Sequence, residues 1–314
     1  MKIVLFNARE RLTLSQQKLL SSLGKTTYTK NLDELPLSKL LEMAKGAEII
    51  GVHPFPLGGL EKGKENLTKI MDSLPNLRGV CVTSTTLSWV DLDYCKKRKV
   101  SVSNVPGYST ESVAEHAIAL LLGLAKRIFI SDRRTQKGEY KMTQGFELRG
   151  KTLGIIGLGS IGSATAKLAI GLGMNVIAYN RTPKKMNGVK MVSLNQLFKE
   201  SDAISLHTTN EKANKSLIGA KEIAKMKKGV IIVNLVDREL VDEKAMAQAL
   251  KSGKVDSYGY EGKDLTQTPL AMLENAIGIQ SFGWFTKEAL ENLYKIWTNN
   301  IVTMAKGKPL NRVV

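Results

Sequence analysis

Gly157, Gly159 and Gly162, spaced in the hexapeptide GLGSIG, are the residues of this chain whose types and spacing most directly suggest chemistry, the holding of a dinucleotide. Gly157 permits a tight turn, Gly159 lets a pyrophosphate approach bare backbone, and Gly162 allows a helix to pack closely on a strand. The spacing alone is a weak signal. Here TLGII precedes it and SATAKLA follows, giving the strand and helix that the motif requires. With Leu158, Ser160 and Ile161 between and beside the glycines, the segment is the expected pyrophosphate site. The next strand, VIAY, ends at Asn180, where a carboxylate would accept hydrogen bonds from the ribose hydroxyls of NAD. A neutral amide removes the repulsion toward a 2′-phosphate, and Arg181 offers a planar fork that suits one. Asn180, Arg181 and Thr182 therefore predict NADP(H) in preference to NAD(H), which Asn180 could still bind through a ribose hydroxyl. Acid–base candidates are few among three histidines. His53 follows a strand and precedes PFPLGG, so a catalytic role is open to it, whereas His116 lies among apolar residues and reads as packed.

These residues need an alternating framework. Ile3 to Phe6, Glu48 to Val52, Val80 to Val82 and Val100 to Ser103 are strand-like, while Ser15 to Leu23 and Asp91 to Lys97 look helical. A long apolar helix from near Thr110 and the polar segment Ser131 to Gly150 lead to a second series, Thr152 to Ile156, Val176 to Tyr179, Ala203 to Leu206 and Val230 to Asn234. The expected fold class is α/β, with two Rossmann-like parallel-sheet domains and an interdomain cleft.

A chain of 314 residues with 43% apolar content can bury two cores. Its longest apolar run, Ala117 to Ala125, is too short to span a bilayer, no cleavable signal is read before the first strand, and a cytoplasmic location is expected. Cys81 and Cys95 lack metal-ligand spacing and disulfide density, so no metal is expected. The net charge of +17 is spread over separate turns such as Lys96–Lys99, Lys184–Lys185 and Lys227–Lys228, without interleaved aromatics. That pattern disfavours nucleic acid and favours attraction of small anions.

The segments NVPGYSTESVAEHAIALLLGLAKR, GKTLGIIGLGSIG, SLHTT (Ser205 to Thr209), MKKGVIIVN, ELVDEKAMAQALKSGKV and TKEALENL together resemble the D-isomer-specific 2-hydroxyacid dehydrogenase family, over nearly the whole chain. The resemblance implies a flavodoxin-like substrate domain of residues 1–103 plus 283–314 and a dinucleotide-binding domain of 104–282. It implies a small-molecule substrate and a homodimer through the cofactor domain, with the long helix and the 131–150 arm as its interface. It also implies cofactor contacts from Thr110, His207, Thr208, Leu235, Val236, Asp237 and Glu261, with His207 beside adenine.

The family reduces 2-oxo acids with an arginine that holds the carboxylate and a histidine, tuned by a glutamate, that supplies a proton. At those positions the chain reads Asp237, Ser281 (after Gln280) and Thr266. Arg238 sits one place later, on the opposite face of an extended backbone unless a bulge re-aims it. Ser84, Thr85 and Thr86 replace a glycine-rich carboxylate-binding turn. Two functions follow as expectations. One is an NAD(P)-dependent oxidoreductase with an atypical site and substrate, using His53 or a cluster of Asp237, Tyr260 and Ser281. The other is a pseudoenzyme, an NADP-binding sensor or interaction protein, so whether the chain is an enzyme stays open at this point.

Overall fold

The computed structural model describes residues 1–182, 184–208 and 216–314, so Thr209 of the SLHTT motif lies outside the described residues. They divide into two compact units, residues 1–109 with 287–314 and residues 110–286. Both divisions fall where helices begin, at Thr110–Ala125 and Lys287–Ala305, a few residues beyond the strand ends used for the sequence expectation.

The first unit is built on β1 (Lys2–Ala8), β2 (Lys25–Thr29), β3 (Ile49–Val52), β4 (Gly79–Val82) and β5 (Ser101–Ser103), all parallel in the order β2-β1-β3-β4-β5. Successive side chains enter opposite cores, as a strand period of two requires. Val4, Phe6, Ile50, Val52, Val80 and Val82 join one core, and Ile3, Leu5, Ile49 and Cys81 join Trp297 and Ile301 in the other. Trp297 Nε1 donates to the Cys81 carbonyl at 2.7 Å, so the indole brings no orphaned donor into that core. Both cysteines are free and buried, and burial raises both thiol pKa values, that of Cys95 to about 11. Neither is a reactive thiolate near neutral pH.

The second unit carries β6 (Thr152–Ile156), β7 (Asn175–Tyr179), β8 (Val189–Met191), β9 (Ala203–Leu206), β10 (Val230–Asn234), β11 (Val255–Glu261) and β12 (Ala276–Ile279). Their order is β12-β11-β10-β9-β6-β7-β8, again all parallel. Leu153, Ile155, Ile231 and Val233 pack with Ala117, Leu120, Leu121 and Leu124 of the long helix, while Ile156, Ile204 and Ile232 face the opposite core. Covering both faces of the sheet keeps its central strands largely apolar, while the helix turns one broad apolar face inward and leaves Glu111 and Glu115 exposed. The polar segment after it begins as a helix, Ile128–Thr135, then runs without helix or strand to Gly150. Tyr140 and Met142 on this arm are 93% and 84% exposed. No helix among the described residues is long and apolar enough to cross a membrane.

Candidate functional site

Strand order in the second unit reverses between β6 and β9, and the loops leaving the carboxyl ends of strands at such a point form a crevice. The GLGSIG turn lies there. Gly157 has φ +100°, and a Cβ on it would stand 2.6 Å from the His207 carbonyl oxygen. At Gly162 a Cβ would lie 2.0 Å from the Gly157 carbonyl, so the turn and the helix Ser160–Gly171 close on each other only without side chains. Gly159 is different: a Cβ there would meet nothing within 4 Å. Its lack of a side chain leaves open space above the helix N-terminus, which also has no side-chain cap, so the first-turn amides suit an anion.

A cavity of about 400 Å³ opens over this turn, lined by Gly157, Gly159, Asn180, Arg181, Thr182, His207 and Thr208 among others. The cavity brings these residues together. Leu158 is buried beneath the turn, and its N–H donates to Asn180 Oδ1 at 2.9 Å. Asn180 Nδ2 donates in turn to the Thr182 carbonyl at 2.6 Å, so this amide braces the rim. Arg181 is exposed beside it. Ser205 Oγ and His207 Nε2 lie 2.8 Å apart, and burial pushes the His207 pKa down to about 4, leaving its ring neutral at pH 7. An open anion cradle, a bare glycine and a polar rim with an arginine fit the pyrophosphate and ribose of a dinucleotide.

The carboxyl ends of β10 and β11 hold the remaining candidates of this unit. Leu235 and Val236 follow β10, with the Val236 N–H bound to Asn234 Oδ1 at 3.1 Å. Asp237 caps a short 3₁₀ turn, Arg238–Leu240, by accepting from the Glu239 N–H at 2.9 Å. This turn corrects the extended backbone expected for Arg238. The guanidinium makes a bidentate pair with Glu243, at 2.6 and 2.9 Å, donates to the Lys263 carbonyl at 2.7 Å, and lies over the Tyr260 ring. Burial raises the pKa of the Glu243 carboxyl, but hydrogen bonds from Arg238 and Thr268 together with the Arg238 charge outweigh it and hold the group below its usual value. Glu243 was missed in the sequence because its partner depends on the 3₁₀ turn. Tyr260 is 1% exposed and stacked on Tyr258, so it lies in the core rather than in a polar cluster with Asp237 and Ser281.

Thr266, Gln280 and Ser281 are exposed. Glu261, at the end of β11, accepts the Gly283 N–H at 2.8 Å, and His116 faces it at 3.3 Å. His116 is packed edge-on against Phe282, and the carboxylate facing it was not legible in the sequence, because a helix position flanked by apolar residues does not reveal a group brought from β11. Thr110 starts the same helix.

In the first unit, His53 packs edge-on against Phe55, and its Nδ1 accepts the Phe55 N–H at 3.3 Å. Burial, helped by the Arg11 charge, lowers its pKa to about 4, so this imidazole holds little proton to donate near pH 7. The hydroxyl of Ser84 donates to the Thr86 carbonyl at 2.7 Å and accepts from Trp89 Nε1 at 3.0 Å, while Thr85 is exposed.

A family model described as D-isomer specific 2-hydroxyacid dehydrogenase, NAD binding domain, matches residues 118–278. The chain is 37% identical over 257 residues to a D-3-phosphoglycerate dehydrogenase of Archaeoglobus fulgidus, covering 78% of this chain and about half, 49%, of that relative. It is 34% identical over 256 residues to a glyoxylate reductase of Thermococcus litoralis, covering 76% and 77% of the two chains. Among solved structures it resembles a protein of Thermus thermophilus with a TM-score of 0.85 and 28% identity across all of both chains. The apo D-lactate dehydrogenase of Escherichia coli gives 0.80 and 27%, again across both whole chains.

Proposed function

Since this chain belongs to the D-isomer specific 2-hydroxyacid dehydrogenase family, we propose that it is an NADP(H)-dependent oxidoreductase acting on a small molecule other than an ordinary 2-hydroxy acid. The observation that carries the cofactor reading is the cavity over GLGSIG with Asn180, Arg181 and Thr182 on its rim. No rim carboxylate stands among the described residues lining it, and Arg181 supplies a cation for a 2′-phosphate. The atypical substrate is supported by Arg238, which Glu243 engages through both carboxylate oxygens, and by Asp237 at the position the family gives to arginine.

Calorimetric titration tests the cofactor. A charge-assisted contact is typically worth about 1.5 to 3 kcal/mol, so NADPH should bind about tenfold or more tightly than NADH, and Arg181→Ala should bring the two together. Gly159→Ala should weaken both without lowering the melting temperature, since its Cβ meets only open space. Equal affinities in the wild-type chain, or a preference for NADH, would return Arg181 to an ordinary surface role.

A second copy of the chain is the proposed macromolecular partner, supported by the exposed Tyr140 and Met142 on the arm. Light scattering checks this, and a monomer at micromolar concentration counts against it. The same pocket would also serve a cytoplasmic NADP-binding sensor without turnover. That reading is favoured only by the engaged Arg238, and substrate assays separate the two.

A further inference from the structure

His116 and Glu261 form a buried contact that the cofactor reading does not use. Their side chains are 18% and 9% exposed, Nε2 and Oε1 stand 3.3 Å apart, and Nε2 is buried without a hydrogen-bond partner. The same carboxylate oxygen accepts the N–H groups of Gly283 and Phe282 at 2.8 and 3.3 Å. Ser112 Oγ, one helical turn before His116, donates to the Gly283 carbonyl at 2.5 Å, and the Phe282 ring packs edge-on against the imidazole at 5.2 Å. Only glycine fits at 283, where a Cβ would stand 2.9 Å from His116 Cδ2 and 3.0 Å from Glu261 Oε1. An imidazolium would make the contact a charge-assisted ion pair, whereas the neutral ring keeps one proton, on Nε2 or on Nδ1.

Topology assigns this pair a side. GLGSIG and Asn180–Arg181 follow β6 and β7, on one side of the strand reversal. A dinucleotide crossing that reversal lays its second nucleotide along β9, β10 and β11, and β11 ends at Glu261. Resting on the cofactor reading above, we propose that the His116–Glu261 pair binds a proton in linkage with the redox state of the nicotinamide. It holds the proton beside the neutral reduced ring and releases it beside the cationic oxidised ring, because two like charges on one carboxylate oppose each other. Linkage is reciprocal, so protonation must favour the reduced cofactor by the same factor.

The nearby charges are engaged or exposed: Arg238, whose stem lies against Gly262 next to Glu261, is paired with Glu243. On the helix itself Glu111 and Glu115 are exposed, and residues 280–284 carry no titratable side chain. β10 has none either, and the helix Ser160–Gly171 brings only exposed Lys167. In Ile128–Thr135, Asp132 and Arg133 are exposed and Arg134 pairs with Glu274, while β11 adds Asp256, bound to Arg127, and the buried Tyr258 and Tyr260. The other two histidines, both lowered to about 4, stay neutral above pH 5.

The test measures Kd for NADP⁺ and NADPH on the full chain between pH 5 and 8. Titration of the 2′-phosphate is common to both forms and cancels in their ratio. The ratio Kd(NADP⁺)/Kd(NADPH) should rise as pH falls, by at most about tenfold per pH unit for one linked proton. His116→Gln should flatten it, and Glu261→Gln, which removes the charge holding the proton, should flatten it as well. A ratio independent of pH in the wild-type chain, or a slope that survives in either folded variant, overturns the proposal. Binding without slope removes only the role of the pair, whereas failure to bind either cofactor removes the cofactor reading and the proposal with it.

Discussion

Glyoxylate, hydroxypyruvate and pyruvate are expected to be reduced at least about a hundredfold more slowly than by an enzyme equipped with a general acid, whose contribution is typically a factor of about 100 to 10,000. Charge adds to the deficit. Two unit charges 4 Å apart interact by about 4 kcal/mol at an effective dielectric of 20, so Asp237 at the substrate carboxylate would repel what an arginine holds. Arg238 could replace that arginine only by leaving both Glu243 oxygens and the Lys263 carbonyl. Breaking such a pair leaves the half-buried Glu243 carboxylate with the Thr268 hydroxyl but without its cation. The deficits act on one transition state and need not add, but each should be visible alone. Steady-state assays with saturating NADPH and NADH are the measurement, and Ser281→His by itself should recover little. A wild-type kcat/KM near about 10⁴ M⁻¹s⁻¹ or above would refute the atypical-site reading.

Acidification should destabilise the chain before most carboxylates titrate. His53 and His207 each have a pKa of about 4 in the folded chain, against 6.5 for an unperturbed histidine. The unfolded chain therefore binds more protons between these values, and the stability that neutral burial allows is present above pH 6.5 and lost as pH falls toward 4. A difference of this size is worth about 3 kcal/mol for each buried ring, an order-of-magnitude figure. One ring lies in each compact unit, so both should weaken. Urea unfolding at pH 7 and pH 4.5 measures the loss, and His207→Gln should reduce it. Equal stability at the two pH values would show that these rings accept protons without opening the structure.

The parts of the fold readable in the sequence are those whose signal is local. β1, β3, β4, β6, β9 and β10 are short apolar runs buried on both faces, and GLGSIG carries its strand and helix on either side. β2 escaped notice because KTTYT is polar and only partly buried, and β8 because three residues, VKM, give no periodicity. β11, VDSYGYE, mixes glycine and polar residues into a strand, and β12 is four residues between loops. The cavity rim at 180–182 was legible for the same reason as the glycines: it ends the strand after them. The partners of Arg238, Glu261 and His116 were not, since each depends on a turn or a strand end brought from elsewhere in the chain. The neutrality of His53 was equally hidden, because burial and the Arg11 charge are properties of the folded unit.

The crevice of the second unit is thus made in two unlike ways. The side bearing the glycine turn comes mostly from one contiguous stretch, β6 through Thr182, with His207 and Thr208 added after β9. The opposite edge is assembled from four separate pieces, the helix from Thr110, the turn after β10, the end of β11 and the segment after β12. None of those pieces supplies a ladder hydrogen bond to the glycine turn. Substitutions in those four pieces can therefore accumulate one loop at a time without disturbing the glycine turn.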